Sequence, residues 1–533
     1  MSTAYRTTPQ VTDNMPSGIA YIVGNEAAER FSFYGMKTIL AVFMTQYLLT
    51  ATGDSAFLTK TEATEWVSLF VASAYFFPVI GALIADAILG KYLTIMALSI
   101  VYCLGHLCLA FIDLPGSVLT ATMEPKGWLI AGLVLVALGS GGIKPCVSAN
   151  VGDQFGAKNA HLLERVYGWF YFAINFGSLF STLLTPWMLK NYGPGWAFGI
   201  PGILMAIATL VFWMGRHKFV HVPPRGWAYL HETFGPTGLR AILKLIPIYI
   251  FVAVFWSLYD QGGSSWVLQA QQMNCTFLGI TWLESQVQAI NPLLILVFIP
   301  LFAYVVYPLA SKVVTLTATR KLFCGFVLTV AAFSIASYAQ ELIDREEVAF
   351  AEVVRPLCEQ GQFDVAATIE QMERLEMNAT AAQLKVAIER PSDRLAMVAP
   401  ITKAGIAVTK SGTIVRANWP SIGWQLLAYV ILTAGEVLVS ITCLEFSYSQ
   451  SPKQMKSFIM SLFLLSVSAG NLFTALVNRF TMDAAGNSTL VGSSYYWFFT
   501  TTMAVATGLF IVVMVLYKPR NYVTEETGVV SNP

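Results

Sequence analysis

Charge is scarce in this chain. Of its 533 residues only 12% are Asp, Glu, Lys or Arg, while 56% are hydrophobic. A soluble domain carries roughly twice that charged fraction, and so much apolar surface cannot be hidden inside one or two water-soluble cores. A lipid bilayer is the natural solvent for such a sequence. The 32 basic and 31 acidic residues nearly cancel to +1, so no field is available to hold a polyanion and nucleic acid is excluded as a partner. Thiol pairs are missing as well. The seven cysteines show no CxxC spacing, and Cys103, Cys108, Cys146, Cys324 and Cys443 fall in apolar runs, where a free thiol acts as a small hydrophobe. The first 16 residues are polar and no small-residue cleavage site follows a short apolar stretch. No signal peptide is therefore read, and the first apolar segment is expected to stay in the mature chain. HExxH, GxSxG and phosphate-loop patterns are absent from the apolar segments, so the expectation is no enzyme.

What the chain has instead is apolar length. A membrane span needs about 20 mostly apolar residues, and twelve segments qualify, near 18–49, 65–88, 92–113, 127–150, 162–189, 195–215, 240–270, 285–309, 320–342, 421–446, 454–478 and 492–517. Basic residues crowd one set of connecting loops (Lys91, Lys158, Arg216, Lys218, Arg225, Lys312, Arg320, Lys453, Lys456, Lys518 and Arg520 among them). The alternate loops hold few, such as Lys60, Lys126, Lys190 and Arg479. The positive-inside bias then predicts a multi-pass protein of the cell (inner) membrane with both termini cytoplasmic. The basic connector at 216–237 divides the spans six and six. The expected organisation is a tail at 1–16, a six-helix bundle at 17–215, a cytoplasmic linker at 216–237, and a second bundle from 238–342 and 421–518. A small external insert at 343–420 and a C-terminal tail at 519–533 complete it. Paired six-helix halves fit the major facilitator superfamily fold, and GALIADAILGK, from Gly81 to Lys91, is similar to the loop-2/3 motif of that superfamily. The insert is charged and reads as short amphipathic stretches (EEVAFAEVV, DVAATIEQMERL, AAQLKVAIER), with a hairpin near Thr409–Ile414 turning at Ser411-Gly412.

Ionisable residues at membrane depth cost a few kcal/mol or more, so each is a functional hypothesis. The first span carries Glu26, Glu29, Arg30 and Lys37. Glu26, Glu29 and Arg30 share one helix face, Lys37 lies two turns further on, and Tyr34 stands between. Two carboxylates beside one guanidinium can trade a proton for a pairing change. The fourth span holds Lys144 in GSGGIKPCVSANVGDQF, beside glycines that permit close helix approach and a proline that permits a bend. Asp260 (FWSLYDQGGSSW) and Glu436 (LTAGEVLVS) are the acids of the second half, and Tyr75, Asn175, Asn291 and Trp256 add a polar and aromatic lining. Blander readings stay open for each: a structural ion-pair cluster for the acids, a lysine snorkelling to the surface for Lys144, helix–helix hydrogen bonds or core packing for the rest.

At these residues the chain resembles the proton-dependent oligopeptide transporter family. EAAERFSFYG, Glu26 to Gly35, is similar to the family's ExxERFxYY motif. GGIKPCVSANVGDQF with FYFAINFGSLFSTLLTP resembles its signature across spans four and five, and FWSLYDQGGSSW and GEVLVSITCLEFSYSQSPKQMKS its markers in the second half. The resemblance covers both bundles but not the insert. It implies a symporter that imports di- and tripeptides with protons by alternating access and needs no cofactor beyond the gradient. It implies proton coupling at Glu26, Glu29 and Arg30 and a gate pair of Lys37 with Asp260. The peptide carboxylate would lie near Arg30 and Lys144, and the peptide amine near Glu436. Tyr34, Tyr75, Asn175 and Asn291 would bond its backbone, and Trp256 would wall a side-chain pocket. Phe33 departs from the first tyrosine of the motif and Lys37 from a frequent arginine. Ser68 replaces the histidine of mammalian members, and Phe463 a tryptophan common in bacterial ones. Two other functions stay open: a same-family carrier of nitrate or another small anion, and a membrane-embedded peptide sensor.

Overall fold

The computed structural model describes residues 5–517 apart from 114–122, 157, 227, 228, 230, 232, 390–393 and 451–455. The tail expected at 519–533, and Lys453, Lys518 and Arg520, lie outside the described residues. Six helices come first: α1 Ile19–Gln46, α2 Lys60–Ile84, α3 Lys91–Ala110, α4 Pro125–Asp153, α5 Leu163–Tyr192 and α6 Pro194–Met214. After the connector follow α7 Pro236–Tyr259, α8 Ile290–Leu301 and α9 Ala318–Glu359. The insert contributes α10 Val365–Arg374, α11 Asn378–Ile388 and α12 Val398–Ala404, and the chain returns through α13 Gly423–Ser449, α14 Lys456–Thr481 and α15 Ser493–Leu516. Each of the twelve expected spans is helical, the eighth as consecutive helical segments from Glu284 to Ala310 of which α8 is the middle. Among the described residues, eleven helices are long and apolar enough to cross a membrane by composition. The twelfth is α1, whose 28 residues include Glu26, Glu29, Arg30 and Lys37.

Local chemistry explains the ends. At α2 the Thr59 hydroxyl accepts from Glu62 N (3.2 Å) while Glu62 Oε2 accepts from Thr59 N (2.8 Å). This reciprocal cap starts the helix five residues before the apolar run. Proline in the first turn opens α4, α6 and α7, where its missing N–H costs nothing. The seventh span is not one helix: α7 tightens at Asp260–Gly263, beside two glycines, before a last short helix at Ser265–Ala270. The ninth also differs from expectation. EEVAFAEVV is not a separate stretch, because no glycine or proline falls between Gly325, early in the span, and Pro356, and α9 runs unbroken for 42 residues. At 1.5 Å per residue that is about 63 Å, twice the hydrocarbon thickness, so α9 carries the insert out of the bilayer on a rigid stem. All-α describes the spans. Outside them are two short hairpins: β1 Thr276–Phe277 with β2 Ile280–Thr281, and β3 Ile406–Val408 with β4 Ile414–Arg416, the latter at the expected turn.

Packing follows two cores. One gathers buried side chains mostly from α1–α6, the other mostly from α7, α9 and α13–α15, while Ile295 of α8 joins a smaller cluster with Val437 and Leu438 of α13. Within the first half α3 and α2 both lie along α4, and α1 lies along α5 and α6. Within the second, α9 packs on α13 and α15, and α7 on α14. The halves meet where α2 runs along α14 and α5 approaches α8. The connector end is tied by Lys91 Nζ–Asp153 Oδ2 (2.6 Å) and by Arg225 N donating to the Asp86 carbonyl (2.8 Å). The α2–α4 contact is backbone on backbone: a Cβ on Gly81 would meet the Gly142 carbonyl oxygen at 2.5 Å and its Cα at 2.6 Å. Gly81→Ala must push two helices apart and is expected to cost about 1–3 kcal/mol. Thermal unfolding of the detergent-solubilised protein should fall by several degrees, and an unchanged melting temperature would show that the helices have room.

Candidate functional site

The spacing on α1 is realised as a buried ion cluster. Arg30 Nε donates to Glu26 Oε1 at 2.7 Å and lies 3.3 Å from Glu29 Oε2. The other Glu29 oxygen accepts from Ser140 Oγ of α4 at 2.7 Å. Glu26 and Glu29 are each 1% exposed. With both acids ionised the trio carries one excess negative charge, which a single proton balances.

Two turns further along α1, Lys37 leaves its own half. Its Nζ lies 2.7 Å from Asp260 Oδ1, at the point where α7 breaks. The second Asp260 oxygen accepts from Asn471 Nδ2 of α14, also at 2.7 Å. Gly470 makes that bond possible, because a Cβ there would overlap the Ala253 carbonyl and hold α14 off α7. On α13, Glu436 Oε2 accepts from Asn291 Nδ2 at 2.8 Å. Asn291 also reaches Thr433 Oγ1 (3.0 Å), and its Oδ1 accepts from the Tyr259 hydroxyl at 3.3 Å.

Between the halves lies a cavity of about 230 Å³. Tyr34, Lys37, Tyr75 and Asn175 line it from the first half; Trp256, Asp260, Asn291 and Glu436 line it from the second. Asn175 turns its amide back to the Tyr171 carbonyl (3.0 Å). Trp256 packs edge-on against Tyr259 and Phe463, with ring centroids 5.0 and 6.4 Å away, and its indole N–H has no hydrogen-bond partner.

Four candidates do not line the cavity: Glu26, Glu29, Arg30 and Lys144 are absent from its wall. Lys144 does not snorkel to the surface. It is 8% exposed, and its Nζ sits 4.0 Å from the ring centroids of both Phe33 and Tyr75, without a hydrogen-bond acceptor. An ammonium held by two aromatic faces keeps its charge unspent on any single anion. Tyr75 belongs both to this cage and to the cavity wall, so movement of one ring connects the two. The cage is testable by a double-mutant cycle. Phe33→Leu should destabilise the wild type by about 1–2 kcal/mol more than it destabilises a Lys144→Met background. Equal losses in both backgrounds would mean that Phe33 only packs.

Ser140, Tyr259, Thr433 and Asn471 were not expected from sequence. Asn471, polar within an apolar helix, carries the same signal that singles out Asn291. Ser140 sits inside a small-residue run and is legible only once α4 is laid against α1.

Membrane-length helices in two groups, enclosing a cavity whose ionisable walls come from both, define a secondary transport protein. The sequence pattern of the POT family matches residues 92–234, 233–385 and 395–498. "Solute carrier family 15 member 2" of Rattus norvegicus is 29% identical, covering 87% of this chain and 86% of the relative. "Peptide transporter family 1" of Drosophila melanogaster is 30% identical, covering 90% and 85%. Among solved structures, the in meso crystal structure of the POT family transporter PepTSo matches with a TM-score of 0.71 and 31% identity, over 95% of this chain and 99% of that one. The chain belongs to the POT family. Its fold is the all-α, multi-spanning major facilitator fold of that family, and as a member of a transporter family it is not an enzyme. The described residues hold no cluster of side chains that could bind a metal.

Proposed function

We propose that the chain is a proton-coupled symporter that imports di- and tripeptides across the cell (inner) membrane by alternating access, driven by the proton gradient with no resident cofactor. Its relatives are named as peptide transporters, and the cavity suits a zwitterion. The observation that carries the reading is that Glu436 and Asn291 face the cavity from one half, while the other half brings Tyr34 and Tyr75 with Arg30 and Lys144 behind them. In this reading the peptide amine meets Glu436. The carboxylate draws Lys144 out of its cage and engages Arg30 as Tyr34 and Tyr75 give way. Asn175 and Asn291 bond the peptide backbone, and Trp256 walls an apolar side-chain pocket. Lys37 and Asp260 gate the end nearer the insert, and Glu26, Glu29 and Arg30 exchange the proton. The two moving bodies are 17–215 and 238–342 with 421–518, both termini are cytoplasmic, and the insert faces outward.

A carrier of nitrate or another small anion fits less well, because Glu436 places a carboxylate in the same cavity and repels an anion. The deciding experiment is uptake of labelled dialanine by proteoliposomes with and without an inward proton gradient. Gradient-dependent accumulation that nitrate does not compete away is the expected result. A sensor would accumulate nothing, and an anion carrier would yield to nitrate.

A further inference from the structure

The insert has an apolar core of its own, in which Val354, Cys358, Met372, Leu384 and Ile401 are at most 1% exposed, so it is a body of fixed shape. It is joined to the second half at both ends, and its returning segment is tied back to the stem. The α9 stem runs into it without a break. Asn418 N donates to Glu346 Oε1 of that stem at 2.7 Å. Asn274 N, just past the seventh span, donates to the Pro420 carbonyl at 2.9 Å.

The far edge of this body rests on the first half. Asn378 Nδ2 donates to the Gln46 carbonyl (3.1 Å) and Ala379 N to Gln46 Oε1 (2.9 Å), at the last residue of α1. Lys190 Nζ, in the last turn of α5, lies 3.5 Å from Glu376 Oε1, and the Tyr47 hydroxyl faces the same carboxylate. Glu376 adopts φ +61°, a left-handed conformation that residues other than glycine rarely take. Strain of that kind persists where surrounding contacts hold it, and it gathers at clamps and switch regions. Here it sits on the residue that makes the ionic contact.

These bonds span the two halves at the end of the cavity beyond Lys37 and Asp260, and they grip α1, the helix that carries Arg30 and Lys37. Opening the cavity at that end separates α1 and α5 from the second half and must break them. We infer that the insert is a latch: it holds the insert end of the cavity shut in the state seen here and sets how readily the carrier reopens on that side. The inference rests on the alternating-access reading above.

The test joins Gln46→Cys to Asn378→Cys in reconstituted protein with a short, reducible bis-methanethiosulfonate, using each single variant as the control for native thiols. The bridged protein should lose at least about tenfold in both proton-driven dialanine uptake and counterflow exchange, and reductant should restore both. Conversely, Glu376→Gln with Asn378→Ala should speed exchange about threefold to tenfold, the worth of an exposed ion pair and a hydrogen bond. Gln46→Ala, made on the opposite partner, should act in the same direction. Bridged protein that transports at the reduced rate overturns the latch, and so do unlatched variants that exchange at the wild-type rate. Uptake by the reduced wild type, measured alongside, tests the transport reading by itself.

Discussion

Glu29→Gln is expected to bring the inside-to-outside ratio of dialanine in proteoliposomes to about one under an imposed proton gradient, while counterflow exchange survives at a reduced rate. The geometry separates the two effects. Glu29 accepts from Ser140 Oγ at 2.7 Å and lies 3.3 Å from Arg30. Glutamine keeps the shape and an acceptor for Ser140 but can neither bind nor release a proton. Arg30 retains its shorter pairing with Glu26 at 2.7 Å, so the helix still has a charge-balanced face and the halves can still rock. What disappears is the link between proton occupancy and the freedom of Arg30. Each pH unit supplies about 1.4 kcal/mol per proton, a tenfold concentration ratio for every proton carried, so the loss is read against a wild type that accumulates about tenfold or more. A variant that still concentrates peptide would move proton coupling off this residue. Loss of exchange as well would make Glu29 a structural member of the cluster instead.

Legibility in the sequence tracked separation along the chain. The Glu26–Glu29–Arg30 cluster lies within five residues, so helix periodicity alone put its members on one face, and the bonds are those the spacing allows. Span positions were legible for a similar reason: the bilayer demands about 20 apolar residues in a row, and little else satisfies it. The Lys37–Asp260 bond joins residues 223 apart, and no periodicity reaches that far. Only the family resemblance suggested it, and even that did not supply Asn471, which holds the other Asp260 oxygen. The cage around Lys144 needs α1, α2 and α4 brought together at Phe33, Tyr75 and Lys144, an arrangement made by glycines at Gly81 and Gly142 whose effect depends on their partners. The insert was least legible. Its helices were visible as amphipathic stretches, but the continuity of α9 and the grip on Gln46 are tertiary facts with no local signature.

Glu436→Gln should abolish discrimination between dialanine and N-acetyl-dialanine. In the wild type, Glu436 is a half-buried carboxylate on the cavity wall whose neighbours within hydrogen-bond reach are neutral: Asn291 donates at 2.8 Å, and Tyr259 holds Asn291 in turn. Neutral donors support the carboxylate but leave its charge unmatched, so a primary ammonium arriving in the cavity meets a partner that needs it. A charge-assisted hydrogen bond of that kind is worth about 1.5–3 kcal/mol, roughly a tenfold to hundredfold preference for the free amine over the acetylated one. Glutamine retains the size and the contact to Asn291, so the cavity keeps its shape and the acetylated peptide should compete about as well as before. The free peptide alone should lose affinity, by the same tenfold to hundredfold. Equal losses for both peptides would assign Glu436 to the architecture of α13. A preference that persists in the variant would place the amine elsewhere, with Asp260 the next carboxylate on the same wall.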